Sequence, residues 1–394
     1  MRIAFYAPMK PPTHGVPSGD RRVAGLLMEA LGRAGHRVEL ASTYRSYDAQ
    51  GDPQRQAAMR DQATAFAQGL AAQWRRGPPE LRPDLWFTYH VYYKAPDWLG
   101  PTVSAALGIP YVIAEASYAP KRASGPWAIG HDAVGAAIRH AALVLSPTRY
   151  DIACVKPLLA SPDRIELLPP FLDAATFRTA AQARASHRAR LAAAHGLDAT
   201  LPWIAVAAMM RRGDKLASYR VLAAVLARLT DLPWRLLIAG DGEARREVET
   251  ALEAAVPGRS AYLGALPLER VAALYAASDL CIWPAVGEAY GMAMLEAQAA
   301  GLPVVSCALR GVPDVVAHGR TGLLAPEGDE QALARLAREL LTDAPRRAML
   351  GRAAGELAGS ERGLDAAAAQ LKRALARLGG TAGENASATR PGVA

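Results

Sequence analysis

The chain is poor in the features that would tie it to a membrane, a disulfide framework or a nucleic acid. No uninterrupted apolar stretch reaches the roughly 18 residues that a spanning helix needs, which argues against a transmembrane anchor. Its three cysteines, Cys154, Cys281 and Cys307, are odd in number, widely spaced and set in apolar surroundings. That fits buried reduced thiols rather than disulfides or a zinc site. Lysine is scarce as well: the formal charge of +8 is built from 39 Arg and only six Lys, scattered along the chain. No basic run carries interleaved aromatics, so nucleic acid is not an expected partner. An anionic small molecule remains, as does peripheral contact with an anionic membrane through patches such as "MEALGRAGHR" at 28–37. The opening "MRIAFYAPMKPP" lacks the apolar core and small-residue cleavage site of a signal peptide, and the expectation is a cytoplasmic protein.

What is present is a chain of 394 residues, 51% hydrophobic and 21% charged, too long for one ordinary core. Strand-like runs at 2–8, 37–42, 84–90, 110–116, 142–148 and 164–169 alternate with helical segments near 20–34 and 53–75. The pattern restarts at 202–209 and continues through 234–242, 260–266, 279–285, 303–308 and 322–326. Such alternation predicts parallel sheets covered by helices on both faces. Pro169 and Pro170 interrupt it, since proline fixes φ and donates no hydrogen bond. The expected division is a first α/β domain over 1–170, a hinge and linker helix over 171–200, and a second α/β domain over 201–357. A C-terminal helix over 358–378, packing back on the first domain, and a disordered tail over 379–394 complete it.

The most informative stretch is "GEAYGMAMLEAQAAGLPVVS" at 287–306. Glu288 follows a strand and a turn, and the helix after it closes at Gly301 with Pro303 beyond. Strand, short loop and helix place ligands at the carboxyl edge of an open α/β sheet. Gly291 allows close backbone approach, and the free amides of a helix start favour an anion such as a pyrophosphate. Glu296 falls among Ala293, Leu295 and Ala297, in a helix of small apolar residues expected to be buried, where a carboxylate needs hydroxyl or cationic partners.

The segment "GEAYGMAMLEAQAAGLPVVSCALRGVPDVVAHGRTGLL" closely resembles the retaining glycosyltransferases of family 4, which have two doubly wound Rossmann-like domains facing a cleft, the GT-B architecture. The resemblance extends over "LLPPFLDAATF", "LLIAGDGEARREVE" and "YLGALPLERVAALYAASDLCIWPA", and so over nearly the whole second half. It implies that Glu296 holds the ribose hydroxyls of a nucleotide-diphosphate sugar and that Glu288 reaches the transferred sugar. The amides of Tyr290, Gly291 and Met292 would face the diphosphate, and Leu266 would flank the base. The family's Arg and Lys on the loop after the first strand of this domain map onto "AAMMRRGDK": Lys215 matches the Lys, while the Arg position holds Met210. Arg211 is the candidate that replaces it.

In the first half, "HGVPSGDRR" resembles the family's first loop, so Ser18 and Gly19 are donor-site candidates and Asp20 is the expected helix cap. Where the family carries a His at the end of the strand matching "PYVIAEAS", this chain has Glu115, Ala116 and Ser117. His90, at the end of the preceding strand, is the candidate for that place. The aromatic cluster Trp86, Phe87, Tyr89, Tyr92, Tyr93 and Trp98 is a candidate lining for an acceptor, with Lys94, Lys121 and Arg122 on nearby loops.

The resemblance implies transfer of a sugar to an acceptor hydroxyl of a glycan, lipid or small molecule, in polysaccharide, glycolipid or glycoconjugate synthesis. No Asp-x-Asp metal motif is present, and metal-independent chemistry without a cofactor is expected. The alternatives are a non-catalytic subunit that binds sugar nucleotides, or another enzyme of the same fold, such as a sugar-nucleotide epimerase.

Overall fold

The structure, a computed structural model, describes residues 1–16 and 18–387, with 379–387 described by backbone alone. It separates into two compact units, one formed by 1–168 with the helix Leu364–Ser387, the other by 169–363. The chain therefore crosses once at Pro169, as the proline pair suggests, and once more at Gly363. The segment 171–200, expected as a linker, is part of the second unit and forms two helices, Ala175–Gln182 and Arg184–His195. The helix expected over 358–378 divides between the helix Ala344–Ser360, in the second unit, and Leu364–Ser387, in the first. The last of these holds to the first unit through Arg33 on Asp365, 2.8 Å, and Gln370 on the Leu167 carbonyl, 2.5 Å. Its backbone stays helical to Ser387, past the point where a disordered tail was expected; residues 388–394 lie outside the described residues.

Six strands form the sheet of the first unit: β1 (Arg2–Tyr6), β2 (Arg37–Ser42), β3 (Leu85–Val91), β4 (Tyr111–Ala116), β5 (Leu143–Ser146) and β6 (Ile165–Leu167), in the order β2-β1-β3-β4-β5-β6. All its ladders are parallel. Strands buried on both faces read as near-continuous apolar runs, and "LWFTYHV" of β3 is buried along nearly its whole length. Trp86, Phe87, Tyr89 and Trp98 are therefore core residues rather than an acceptor lining. Tyr92 and Tyr93, past the strand end, are half-buried and stay available.

The second unit repeats the design with β7 (Trp203–Ala207), β8 (Arg235–Ala239), β9 (Ser260–Tyr262), β10 (Leu280–Ile282), β11 (Val304–Cys307) and β12 (Gly322–Ala325). The order β12-β11-β10-β7-β8-β9 is again all parallel. Its core is built on Trp203, Trp234, Tyr219 and Tyr275 with the strand aliphatics. Cys281 and Cys307 are buried there as free thiols; Cys154, in the first unit, is only half-buried. In each sheet the strand order reverses once, between β1 and β3 and between β7 and β10. Ligands of open α/β sheets bind outside the carboxyl ends of the strands at such reversals.

Candidate active site

At the β7/β10 reversal, two loops far apart in sequence meet. Lys215 lies in the first turn of the helix Asp214–Ala227, which follows the loop after β7. Glu288 lies in the loop between β10 and the helix Met292–Ala299. Lys215 Nζ donates to Glu288 Oε2 at 2.5 Å, and the ammonium also sits 5.5 Å from the Trp283 ring centre, a cation–π distance. The loop after β10 reaches this place through left-handed backbone at Ala285 (φ 61) and Gly287 (φ 66). At Gly287 a Cβ would stand 2.3 Å from the Asp214 carboxyl, so glycine is required for the two loops to touch.

Gly291 caps the following helix with φ 84, and a Cβ there would meet Met294 Cε at 2.2 Å. Its position brings the amides of Gly291, Met292 and Ala293 to the helix start, where a negative group is favoured. Tyr290, just before it, packs partly buried against the core of this unit. The sequence placed this helix start correctly but buried Glu296 too deeply. Glu296 is half-buried because its face of the helix borders an open pocket of about 260 Å³ instead of the core.

That pocket also takes Leu266, from the loop after β9, and Ala208, Met209, Gly240 and Asp241 from the loops after β7 and β8. Gly240 is part of its lining, where a Cβ would lie 1.9 Å from the Ala208 carbonyl oxygen; two residues on, a Cβ on Gly242 would lie 2.4 Å from that of Met210. The structure thus assembles Leu266 and Glu296 around one concavity, with Lys215 and Glu288 on the same sheet edge.

At the position where the family carries its loop Arg, Met210 is fully buried, its amide and carbonyl tied to Asp241 and Ala244. Arg211 is exposed, and Arg212 donates its amide to Glu243 while its guanidinium pairs with Glu247 at 3.4 Å. The sequence reasoning missed a different cation. Arg310, in the loop after β11, donates from Nη1 to the Gly287 carbonyl at 3.2 Å, and the adjacent Gly311 amide bonds the Ala289 carbonyl at 2.9 Å. Its φ of 44 is left-handed, a conformation that costs an L residue roughly 1–3 kcal/mol. A signal was available: Arg310 is the only Lys or Arg between Glu288 and Gly319.

The first unit places a second polar pair at its own reversal. Ser18, and not Asp20, caps the helix Gly19–Arg33 by accepting from the Arg21 amide at 3.2 Å. Gly19 is exposed in the first turn, and Pro17 lies outside the described residues. Asp20 is thereby free to turn its carboxylate to His90, Oδ1 to Nδ1 2.9 Å. Glu115 Oε1 stands 3.8 Å from His90 Nε2, and both His90 (φ 61) and Glu115 (φ 64) are left-handed at their strand ends. Burial alone pushes the His90 imidazole down, but the Glu115 and Asp20 carboxylates outweigh it and raise its pKa overall. Burial likewise pushes the Asp20 carboxyl up, and the His90 hydrogen bond and charge bring it below its usual value.

Among the described residues no group of three or more His, Cys, Asp or Glu is placed to hold a metal ion, and no helix is long and apolar enough to cross a membrane.

Comparison with known proteins agrees with this geometry. Residues 203–343 match the family model described as glycosyl transferases group 1. D-inositol 3-phosphate glycosyltransferase of Corynebacterium aurimucosum is 33% identical over 204 residues, covering 50% of this chain and 47% of that protein. The chain thus matches about half the length of such curated relatives. Over the whole fold, sucrose-phosphate synthase of Thermosynechococcus elongatus superposes with a TM-score of 0.73 at 20% identity, covering 96% of this chain and 99% of that one. Anabaena Alr3699/HepE, solved in complex with UDP-glucose, gives 0.69 at 17% identity, covering 96% and 100%. Residues 203–343 are therefore a group 1 glycosyl transferase domain, carried in a chain of the GT-B glycosyltransferase fold.

Proposed function

We propose that the protein is a retaining glycosyltransferase that moves a sugar from a nucleotide-diphosphate sugar to an acceptor hydroxyl. The observation that carries this reading is the Lys215–Glu288 pair at the β7/β10 reversal, beside a pocket lined by Glu296 and Leu266. In this reading Glu296 accepts from the ribose hydroxyls and Leu266 flanks the base. Lys215 and Arg310, with the amides of Tyr290, Gly291 and Met292, face the diphosphate, and the exposed Arg211 reaches it from the loop after β7. Glu288 accepts from hydroxyls of the transferred sugar, and Lys215 holds it in place until the donor arrives.

In the transfer step the bond from the acceptor oxygen to the anomeric carbon forms as the bond to the diphosphate oxygen breaks. The acceptor proton passes to the departing diphosphate. Charge builds on that diphosphate, and cations fixed beside it stabilise the transition state more than the ground state. Because Lys215 and Arg310 supply that charge, no metal or other cofactor is assigned. In the first unit, Ser18, Gly19 and His90 are assigned to the reacting sugar and the acceptor. Placement in the cytoplasm, with peripheral contact at the inner face of the membrane, belongs to the same proposal.

The HepE complex makes UDP-sugars the first donors to screen. Thermal stabilisation identifies the donor, since a ligand bound only by the native state raises stability with its concentration over Kd. Transfer or hydrolysis of that donor is then measured for wild type and Glu288→Gln. Full activity in Glu288→Gln would remove the catalytic assignment, and binding without transfer or hydrolysis would favour a sugar-nucleotide-binding subunit.

A further inference from the structure

Two loops at the carboxyl edge of the first sheet gather cations on a single pair of rings. Lys94, just past β3, sets its ammonium 4.9 Å from the Trp127 ring centre and 6.0 Å from that of Tyr93. Arg122, in the segment after β4, places its guanidinium carbon 5.1 Å from Tyr93 and 5.2 Å from Trp127. Lys121 stands exposed next to it. Neither Lys94, Lys121 nor Arg122 makes an ion pair among the described residues, and the Arg122 Nε is buried without a hydrogen-bond partner. Ring faces compensate a cation only in part. An anion that reached both cations would supply the countercharge that the rings do not.

The rings are fixed before any ligand arrives. The Trp127 indole donates to the Asp48 carbonyl at 3.2 Å, while the Asp48 carboxylate is spent on the amides of Gln50 and Asp52 and on Gln56. Gly51, at φ 78, lies so close that a Cβ would fall 2.9 Å from the indole. On the other side the helix Ala128–His140 passes over the Tyr93 backbone, where a Cβ on Gly130 would stand 2.1 Å from the Tyr93 carbonyl oxygen. A chain of ring contacts joins this place to His90: His90 stacks on Tyr92 at 4.8 Å, Tyr92 meets Tyr93 at 5.6 Å, and Tyr93 meets Trp127 at 5.6 Å.

We propose that Lys94, Arg122 and the Tyr93–Trp127 pair form a binding site for a phosphate monoester carried by the acceptor. A planar guanidinium engages two phosphate oxygens at once and an ammonium binds as a point charge, so the pair matches a tetrahedral dianion better than a carboxylate. The word acceptor rests on the glycosyl-transfer reading; the anion site does not. Its source is either a soluble sugar or polyol phosphate or the headgroup of a phospholipid, and the two are separable.

Calorimetry with inorganic phosphate, glucose 6-phosphate and glucose is compared with sedimentation on phosphatidylcholine vesicles, with and without phosphatidic acid. The proteins are wild type, Lys94→Gln, Arg122→Gln, the double variant and Arg122→Lys, each checked for folding by its Tm. The phosphorylated probes are expected to bind wild type well above glucose. Each Gln variant should weaken them by about tenfold, with partial recovery in Arg122→Lys. Preference for glucose 6-phosphate assigns a soluble acceptor; binding only to phosphatidic acid vesicles assigns a lipid one. Equal binding by wild type and the folded double variant, or no binding of any phosphorylated probe by wild type, overturns the site. UDP binding measured in the same samples reports separately on the transfer reading, so the two fail independently.

Discussion

Lys215 and Glu288 are 73 residues apart in sequence and 2.5 Å apart in the fold, and they join the loops after two neighbouring strands where the strand order of the second sheet reverses. Both side chains are partly exposed, 34% and 21%. As a stability element such a pair is worth about 1 kcal/mol or less. On the proposed reading its place at the ligand edge gives it a different use, as two groups held ready for a sugar nucleotide that separates them.

Glu288→Gln keeps the shape and some of the hydrogen bonding to Lys215 but removes the charge. We expect Tm within a few degrees of wild type, nucleotide affinity retained, and a loss of kcat of about a hundredfold or more, near 3 kcal/mol of transition-state stabilisation. Lys215→Met should weaken nucleoside diphosphate binding as well. Transfer kinetics with the identified donor check both, and a double variant shows whether the two act as one unit.

The Asp20–His90 pair makes a pH signature in the first unit. The raised imidazole contributes stability fully below its unfolded value of 6.5, and that contribution is lost as pH rises through its higher folded value. The lowered Asp20 carboxyl contributes above its unfolded value of 3.8, and that part is lost as pH falls through its lower folded value. The pair therefore stabilises most between 3.8 and 6.5. Tm profiles of wild type and Asp20→Asn should differ most in that window, and the difference should shrink as pH rises above it and the imidazole's share is lost.

Much of this was legible in sequence because local rules and the fold agree. The strands of both sheets are apolar runs bounded by turn residues, and Gly291, Gly301 and Pro303 bracket one helix in the expected order. What sequence could not give is what three-dimensional neighbours decide. Asp20 has the chemistry of a cap, yet Ser18 takes that role and Asp20 is drawn to His90, 70 residues away. Glu296 looks buried from its alanines, yet its face borders a pocket that only the loops after β7, β8 and β9 create. Trp86 and Phe87 look like a sugar platform, but β3 is central in its sheet and both are core.

Two glycines at the ligand edge of the second sheet differ in what an added methyl group would meet. At Gly240 the added Cβ would face a backbone carbonyl at 1.9 Å, which no rotamer change relieves. Gly240→Ala should cost more than about 3 kcal/mol, lowering Tm by roughly 10 °C, and should abolish nucleotide binding. At Gly291 the obstacle is the flexible end of Met294, so Gly291→Ala should cost mainly the left-handed backbone, about 1–2 kcal/mol. Thermal unfolding of both variants checks the ranking.

Arg310 offers the sharpest separation of structure from function, because its backbone and its side chain pull in opposite directions. At φ 44 a glycine is more comfortable than an arginine, so Arg310→Gly should raise stability by up to about 1 kcal/mol after the greater chain entropy of glycine is subtracted. On the proposed reading the guanidinium, bonded to the Gly287 carbonyl, supplies a charge-assisted contact to the diphosphate, of a kind worth roughly 1.5–3 kcal/mol. Nucleoside diphosphate affinity should therefore fall by about 10- to 100-fold in the same variant whose Tm rises. Arg310→Lys should keep the backbone cost and recover part of the affinity. A residue that only strapped two loops together would lose stability and affinity in parallel. Tm and UDP titration on the three proteins distinguish the two, and a rise in Tm with unchanged UDP affinity would remove Arg310 from the diphosphate site.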